Sequence, residues 1–251
     1  MNSLFVVFHV ILLASSVHLT NASYEYFKLA LVWPTTFTRI HASGMTKPKI
    51  PNYFTIHGLW PTNFSSPWPQ SCVEKPADYF KRSSIDTLQN GLNHYWPSLK
   101  SEKTNMELWI EEWEKHGTCS LQKFNQSEYF RQAISITEFL DILVVFKKVG
   151  IIPHRTKTYS GIDIVNAIKK TKTRRVEPEI VCFQDRSDVL LREIRVCLDA
   201  NLAEYISCPD TRSKGNMFDS MCAIFVLRFY LHFTDRANEI YKRVEDQKSS
   251  R

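Results

Sequence analysis

The sequence predicts a single α+β domain in which helices pack on an antiparallel sheet and disulfides staple the fold. The first observation is the order of the patterns: strand-like segments lie near the start and in the last third of the chain, and amphipathic helical segments lie between them. The second is a length of 251 residues without a linker, repeat or low-complexity block, which favours one domain. The third is a count of six cysteines, an even number that favours three disulfides.

Residues 1–22 are typical of a signal peptide, so we expect the mature domain to span residues 23–251. The segment contains no Lys, Arg, Asp or Glu, has an apolar stretch at 4–13 and ends in small residues, although a basic start is missing. No later stretch is long and apolar enough to span a membrane. We therefore expect a secreted protein, or one delivered to the vacuole or another compartment of the secretory route.

The cysteines and sequons of the mature part fit this route. Six cysteines allow fifteen disulfide pairings, and their spacing does not choose among them. The absence of CxxC spacing argues against a zinc site, and no cofactor is expected. Sequons at Asn63 and Asn125 predict N-glycosylation. The formal charge of +6 is compatible with a polyanion such as RNA, although many basic secreted proteins bind no nucleic acid.

The first predicted elements are two strands separated by a loop. Residues 26–33 form an apolar run that Pro34 ends, which indicates a buried strand. Residues 34–52 are predicted to be a long surface loop. Residues 53–57 form a short strand that ends at His57, before a glycine. A histidine in this position can project into a cleft, although an isolated histidine is more often a satisfied core residue.

Helices are predicted in the middle of the chain. The first is capped by Ser84 and runs to residue 95, and the second spans residues 105–116. A third, long helix begins at Asn125 or Ser127 and runs to residue 148. The residues that it is expected to contribute to the core are Phe130, Ile134, Phe139, Ile142, Leu143 and Phe146.

The last third is predicted to be mostly strands. A helix capped by Ser160 comes first, and the basic run that ends at Arg175 is expected to be a solvated helix end rather than an RNA groove. Three strands follow, at residues 179–183, 189–198 and 223–233. The charged residues 234–251 are expected to form a helix or a frayed tail.

The helix at 105–116 carries the densest set of reactive side chains. Residues spaced three or four apart share one face of it, namely Trp109, Glu112, Trp113 and His116. Lys115 follows Glu112 by three residues, so an acid, a cation and a titratable ring can converge. Gly117 is expected to end the helix in a left-handed cap. An amphipathic surface helix with an i,i+4 ion pair is the alternative.

Two histidines with a carboxylate and a lysine form a candidate acid–base site. Imidazoles ordinarily titrate near neutrality, where one can be neutral while the other is protonated. RNA cleavage needs such a pair: a base takes the 2′-OH proton, an acid protonates the departing 5′-oxygen, and cations stabilise the phosphorane. No metal is required, because the 2′-OH supplies the nucleophile within the substrate.

Two segments carry a family resemblance. Residues 54–61 read FTIHGLWP and residues 112–119 read EWEKHGTC, and they resemble the two active-site segments of the ribonuclease T2 family. The resemblance covers nearly all of the mature chain, and in detail it is to plant S-RNases and S-like RNases. Further similar segments are 95–99 (YWPSL), 124–130 (FNQSEYF), 150–153 (GIIP) and 193–197 (EIRVC).

The resemblance implies the ribonuclease T2 fold and a role for each candidate residue. His57 would be the general acid for the leaving 5′-oxygen, and His116 the general base on the 2′-OH. Glu112 and Lys115 would polarise the phosphate, and the product would be a 2′,3′-cyclic phosphate. The side chains expected to bind the substrate are Trp60, Leu108 and Trp109. The implied disulfides are Cys72–Cys119, Cys182–Cys222 and Cys197–Cys208.

The chain departs from these relatives at three places. Glu111 stands where some members have a third histidine, so a phosphate ligand is lost. Thr62 stands where some fungal relatives have a base-reading aspartate, so base preference cannot be transferred. Thr38 and residues 45–46 replace a cysteine pair of plant relatives, which leaves no orphan thiol.

Two functions are compatible with these observations. The first is a monomeric, secreted endoribonuclease that acts on single-stranded RNA. The second is a self-incompatibility protein of the S-RNase type, in which surface loops bind a protein partner and RNA cleavage is the effector; the basic charge favours it, and the absent cysteine pair weakens it. An inactive storage or defence protein is disfavoured, because both histidines, Glu112 and Lys115 are present. No membrane partner is expected.

Overall fold

The computed structural model describes residues 24–41, 49–65, 68–154, 156–171, 173, 175–209, 222 and 226–228. The predicted signal peptide and the charged tail lie outside these residues. The strands described are β1 (Tyr26–Val32), β2 (Thr55–Thr62), β3 (Thr158–Ser160), β4 (Glu179–Asp185), β5 (Asp188–Asp199), β6 (Tyr205–Ile206) and β7 (Val226–Arg228). The α-helices are α1 (Pro34–Ile40), α2 (Gln89–Tyr95), α3 (Asn105–Lys115), α4 (Gln126–Leu140), α5 (Ile142–Lys148) and α6 (Gly161–Lys169). Short 3₁₀ helices span Pro76–Asp78, Arg82–Leu88 and Gly117–Ser120.

The sheet is built around β5, a strand of 12 residues. Its order is β2-β1-β5-β7-β3, and β4 and β6 also pair with β5. The pairs of β1 with β2 and of β5 with β1, β4 and β6 are antiparallel, whereas β5 and β7 run parallel. The predicted α+β class is confirmed, with the β5–β7 pair as an exception to a purely antiparallel sheet.

Alternation along β1 gives the sheet two faces with different chemistry. Phe27, Leu29 and Leu31 are at most 1% exposed and join the buried side chains of the helices in the hydrophobic core. Lys28 and Ala30 alternate with them and therefore point to the other face. Polar and charged side chains of β2, β4 and β5 share that second face, which borders the candidate site.

Two predictions near the start of the chain are corrected. Pro34 ends β1 but also begins α1, in a region that was predicted to be loop; proline suits a first helical turn because the N–H that it lacks has no partner there. The second strand does not end at His57, since β2 continues through Gly58 and Pro61 to Thr62. Proline is tolerated because β2 lies at the edge of the sheet order.

The predicted helices are confirmed in place but corrected in detail. Ser84 lies inside a 3₁₀ helix and does not cap α2, which begins at Gln89. Asn125 does cap α4, and Ser160 caps α6. The long helix is two helices, because Asp141 adopts a left-handed conformation with φ of 33° and caps α5. Phe139, expected in the core, is 49% exposed.

The strands predicted at 179–183 and 189–198 are confirmed by β4 and β5, while only residues 226–228 of the third are described. The disulfide pairing follows the family resemblance: Cys72–Cys119, Cys182–Cys222 and Cys197–Cys208. The first of these bonds joins the loop after β2 to the 3₁₀ helix after α3. Among the described helices, none is both long and apolar enough to cross a membrane.

Candidate active site

A β-bulge places His57 at the candidate site. On β2, Gly58 pairs with Ala30 and Ile56 pairs with Leu31, so His57 is an extra residue without a partner on β1. A bulge of this kind re-aims the side chain of the extra residue. The His57 side chain is 42% exposed and borders a cleft. The bulge, rather than a strand end, explains how this histidine reaches the cleft.

Two buried tryptophans anchor α3, which carries the second part of the site. Trp109 and Trp113 are each 1% exposed. Their indole N–H groups donate to the backbone oxygens of Trp96 and Asp78, in both cases over 2.8 Å. The expected substrate contact of Trp109 is therefore contradicted, because a side chain enclosed in the core cannot touch a ligand in the cleft.

Gly117 is needed for close packing rather than for a left-handed cap. His116 is the C-cap residue of α3, with φ of −121°, and Gly117 is not among the glycines with positive φ. A Cβ atom on Gly117 would lie 2.3 Å from Cε3 of Trp113. The expected left-handed cap is therefore wrong. Glycine is needed here for a different reason, because the Trp113 indole occupies the space that a side chain would need.

The four side chains assigned to catalysis meet in one cleft of about 610 Å³. They are His57, Glu112, Lys115 and His116, and Trp60 and Thr62 border the same cleft. Cleft residues that the sequence reasoning did not single out are Lys28, Trp68, Gln70 and Arg195. Trp68 is half exposed, at 51%, so the cleft offers a second indole beside Trp60. Nothing in the spacing of Lys28, Trp68, Gln70 and Arg195 along the chain indicated that they would meet.

The Trp60 indole lies close to both histidines. The centroid of its ring is 5.1 Å from that of His57 and 5.6 Å from that of His116. Its indole N–H donates to Glu112 Oε2 over 3.2 Å, and the Arg195 guanidinium lies 5.6 Å from the ring centroid. A Cβ atom on Gly58 would lie 2.0 Å from the Trp60 nitrogen, so this close arrangement requires glycine there.

Leu108 borders a second cavity of about 170 Å³, which shares His57 and Glu112 with the cleft. Glu111 also borders it, and its carboxylate forms an ion pair with Lys103. The position that resembles the third histidine of some relatives is therefore occupied here by a glutamate that is paired with a lysine. Among the described residues, no group of three or more His, Cys, Asp or Glu side chains could hold a metal ion.

Burial shifts two titratable groups of the cleft in opposite directions. Burial raises the pKa of Glu112 to about 7, against the opposing effects of His57, Trp60 and Lys115. Burial, followed by the charges of Lys115 and His57, lowers the pKa of His116 to about 4. His116 is therefore neutral at pH 5 and above, as a general base must be, while Glu112 is partly protonated near neutrality.

A buried carboxylate on β5 contacts the Nδ1 side of the His57 ring. Nδ1 of His57 lies 2.7 Å from Oε1 of Glu193, whose side chain is 1% exposed. Burial alone would raise the pKa of Glu193, but the hydrogen bond with His57 and the charges of His57, Arg195 and Arg192 together lower it to about 2. Glu193 was not singled out from the sequence, because nothing within β5 marks it as a partner of His57; it lies two residues before Arg195, on the polar face of the sheet.

Comparisons with known proteins agree with this geometry. The model of the ribonuclease T2 family matches residues 24–208. Ribonuclease S-7 of Nicotiana alata is 33% identical over 197 residues, 76% of this chain and 84% of that protein. Two Solanum lycopersicum proteins are each 30% identical: extracellular ribonuclease LE (82% of this chain, 90% of that protein) and intracellular ribonuclease LX (76% and 79%).

Solved structures show the same fold. Ribonuclease MC1 from the seeds of bitter gourd superposes with a TM-score of 0.67 at 29% identity, over 74% of this chain and 94% of that chain. A mutant of that enzyme was solved in complex with 5′-UMP. The self-incompatibility-associated SF11-RNase of Nicotiana alata also gives a TM-score of 0.67, at 30% identity, over 83% of this chain and 100% of that chain. The chain therefore belongs to the ribonuclease T2 family and is a T2-type endoribonuclease.

Proposed function

We propose that the cleft cleaves single-stranded RNA by metal-free transphosphorylation, with His57 as the general acid and His116 as the general base. The observation that carries this proposal is the placement of the two imidazoles in one cleft, each within 5.6 Å of the Trp60 ring centroid. The reacting 2′-OH and the leaving 5′-oxygen lie on opposite sides of the phosphorus in an in-line displacement. Two separated imidazoles can serve both at once.

The different environments of the histidines support this division of roles. Burial and nearby cations lower the pKa of His116 to about 4, so its ring can take the 2′-OH proton at mildly acidic or neutral pH. His57 uses Nδ1 for its contact with Glu193, so Nε2 is the atom left to give a proton to the 5′-oxygen. An imidazolium at this position is paired with a carboxylate.

Lys115 and Glu112 are suited to the charge on the phosphorane. The ammonium of Lys115 can face a non-bridging oxygen directly. Burial raises the pKa of Glu112 to about 7, so near neutrality a substantial fraction can donate a hydrogen bond to the phosphate instead of repelling it. The transphosphorylation breaks the P–O5′ bond, forms the P–O2′ bond and leaves a 2′,3′-cyclic phosphate.

The lining of the cleft supports a single-stranded substrate. Trp60 and Trp68 offer indole faces on which unpaired bases can stack, at about 1–3 kcal/mol per base. Bases held in a duplex are already stacked and cannot use these faces. Leu108 borders the second cavity, and we expect it to contact the nucleotide on the other side of the scissile phosphate.

The mechanism is tested by its product and its metal independence. The protein is incubated with single-stranded homopolymeric RNAs in EDTA, and the products are analysed by mass spectrometry. Oligonucleotides ending in 2′,3′-cyclic phosphate, formed at the same rate with and without EDTA, support the proposal. Loss of cleavage in EDTA, or products that carry only 5′-phosphates, would refute it.

Secretion is proposed from the leader at residues 1–22 and the sequons at Asn63 and Asn125. The relatives include one named extracellular and one named intracellular, so the family alone does not choose the compartment. Expression of the full chain in plant cells tests this: a glycosylated protein in the medium supports secretion, and an unprocessed cytosolic protein contradicts it. Elution as a monomer is expected in size-exclusion chromatography.

A role in self-incompatibility is a second proposal. It is favoured by the similarity to ribonuclease S-7 and SF11-RNase of Nicotiana alata. In this role a protein partner would recognise surface loops, and RNA cleavage would be the effector. Expression confined to the style supports it, whereas expression throughout the plant or induction by phosphate starvation favours general RNA turnover.

A further inference from the structure

A line of alternating charges crosses the polar face of the sheet and ends at His57. Lys28 Nζ lies 2.6 Å from Glu179, and Glu179 lies 2.8 Å from Arg195. Arg195 in turn lies 2.8 Å from Glu193, and Glu193 lies 2.7 Å from His57. Strand register explains this order, because Arg195 is aligned with Glu179 on β4 and with Ala30 on β1.

Glu193 is the member of this line that contacts His57, and both of its oxygens are used. Oε1 faces Nδ1 of His57, while Oε2 accepts from Nε of Arg195 over 2.9 Å. A carboxylate whose side chain is 1% exposed is costly unless it is fully paired. The structure meets this need by placing Arg195 on one side and the histidine on the other.

We propose that Glu193 is a positioning residue for His57. The carboxylate accepts the Nδ1–H bond, fixes the ring and its tautomer, and directs Nε2 to the leaving 5′-oxygen; Arg195 keeps the carboxylate in place. The inference rests on the proposed role of His57 as general acid. Nothing in the spacing of the sequence suggested it, because 136 residues separate the two partners.

Other charged groups also surround His57, so the test must separate Glu193 from them. From β5 these are Arg192 and Arg195, and from α3 and its end they are Glu112, Lys115 and His116. Lys100, Lys103 and Glu111 border the second cavity beside it. Among the groups with a described hydrogen bond to the imidazole, Glu193 is the one that accepts at Nδ1.

The matched variants are Glu193→Gln and Glu179→Gln. Both remove a buried carboxylate that binds Arg195, but only Glu193 touches His57. We measure kcat and KM against pH on a dinucleotide substrate, and thermal unfolding for both variants. Glu193→Gln is expected to lower kcat by about 10-fold or more with little change in KM, within the roughly 10²–10⁴-fold worth of one proton transfer. Glu179→Gln is expected to keep kcat close to the parental value.

A Glu193→Gln variant with the parental kcat, or an equal loss of kcat in both variants, overturns the proposal. If Glu193→Gln does not fold, ¹⁵N NMR of the parent decides, because the neutral His57 ring must carry its proton on Nδ1; a proton on Nε2 overturns it. His57→Ala distinguishes a failure of the proposed function from a failure of the positioning role of Glu193. Full activity of His57→Ala refutes the proposed function, whereas loss of activity there with a normal Glu193→Gln refutes only the positioning role.

Discussion

The indole N–H of Trp60 donates to Glu112 Oε2 over 3.2 Å, and this contact ties the carboxyl group on α3 to strand β2. It has an electrostatic consequence, because the hydrogen bond lowers the pKa of Glu112 against the larger effect of burial. The ring of the same indole lies 5.1 Å from that of His57 and 5.6 Å from that of His116. Trp60 therefore orders the cleft in addition to offering a face for a base.

Trp60→Phe separates these two roles, because phenylalanine keeps a ring for stacking but has no N–H donor. We expect kcat to fall by about 10-fold, in keeping with the loss of a hydrogen bond to a charged group, with a smaller change in KM. Steady-state kinetics on a dinucleotide checks this. A change in KM alone would show that stacking is the main contribution of the indole.

Glu112→Gln is expected to stabilise the protein at alkaline pH. Burial raises the pKa of Glu112 from 4.5 to about 7, so the folded state binds more protons than the unfolded state between these values. The contribution of Glu112 to stability is therefore present below pH 4.5 and is lost as the pH rises through 7. The variant has no such carboxyl group and therefore does not lose this stability. The difference in free energy of unfolding, variant minus parent, should be roughly 1–3 kcal/mol larger at pH 8 than at pH 4.5.

Urea denaturation at several pH values measures that difference. The lowered pKa of His116 acts in both proteins and cancels in the comparison. The account is contradicted if the difference between Glu112→Gln and the parent does not change with pH. Catalysis should decline in the variant even as stability rises, because the titrating carboxyl group is gone.

Lys115→Gln is expected to move the acidic limb of kcat/KM to higher pH. The charge of Lys115 helps to lower the pKa of His116 to about 4, so its removal makes the imidazole easier to protonate. The maximum of kcat/KM should also fall by about 10–100-fold, because a cation facing the phosphorane is lost. Lys115→Arg keeps the charge and serves as the control. A limb that stays in place in Lys115→Gln would argue against His116 as the base.

The Cys72–Cys119 bond is expected to contribute both to the stability of the fold and to the geometry of the cleft. It spans 47 residues and is worth about 4 kcal/mol in the chain-entropy model. Beside it, Ser71 N donates to Lys115 O over 2.7 Å, which holds the Trp68 loop against the end of α3. Replacing both cysteines by alanine should lower the unfolding temperature and raise KM.

The control is the Cys197–Cys208 bond, which spans 11 residues and should contribute about 3 kcal/mol in the same model. Its removal is expected to lower stability without raising KM, because the segment that it closes, residues 197–208, contributes no lining residue to the cleft, whereas residues 72–119 contribute three. Thermal unfolding and steady-state kinetics of the two double variants measure the difference. Equal effects on KM would show that the Cys72–Cys119 bond has no special link to the site.

Local chemistry accounts for what the sequence could predict. Ser160, and Asn125 with Ser127 as its alternative, are predictable as caps because such side chains act on backbone groups two or three residues away. Helical spacing predicted one face shared by Trp109, Glu112, Trp113 and His116; Glu112 and His116 border the cleft, while the two tryptophans anchor the helix in the core. These features depend on helical spacing alone, which the sequence displays.

The features that could not be predicted depend on contacts between distant segments. Gly117 was expected to need a left-handed backbone, but it is instead required beside the Trp113 indole, whose position depends on its hydrogen bond to the distant Asp78. The bulge at His57 depends on the register with β1. Glu193 and Arg195 belong to the site because β5 lies beside β1, and no periodicity within β5 marks them.

Single-turnover cleavage of RNA in EDTA by His57→Ala and His116→Ala measures what the two imidazoles contribute to the chemistry. His154→Ala, which changes a histidine outside the cleft, is the control, and thermal unfolding confirms that each variant folds. Each of the two variants is expected to lose roughly 10²–10⁴-fold in rate while the control matches the parent. A folded His57→Ala or His116→Ala variant that cleaves RNA at the parental rate would show that the imidazoles are not the acid and the base.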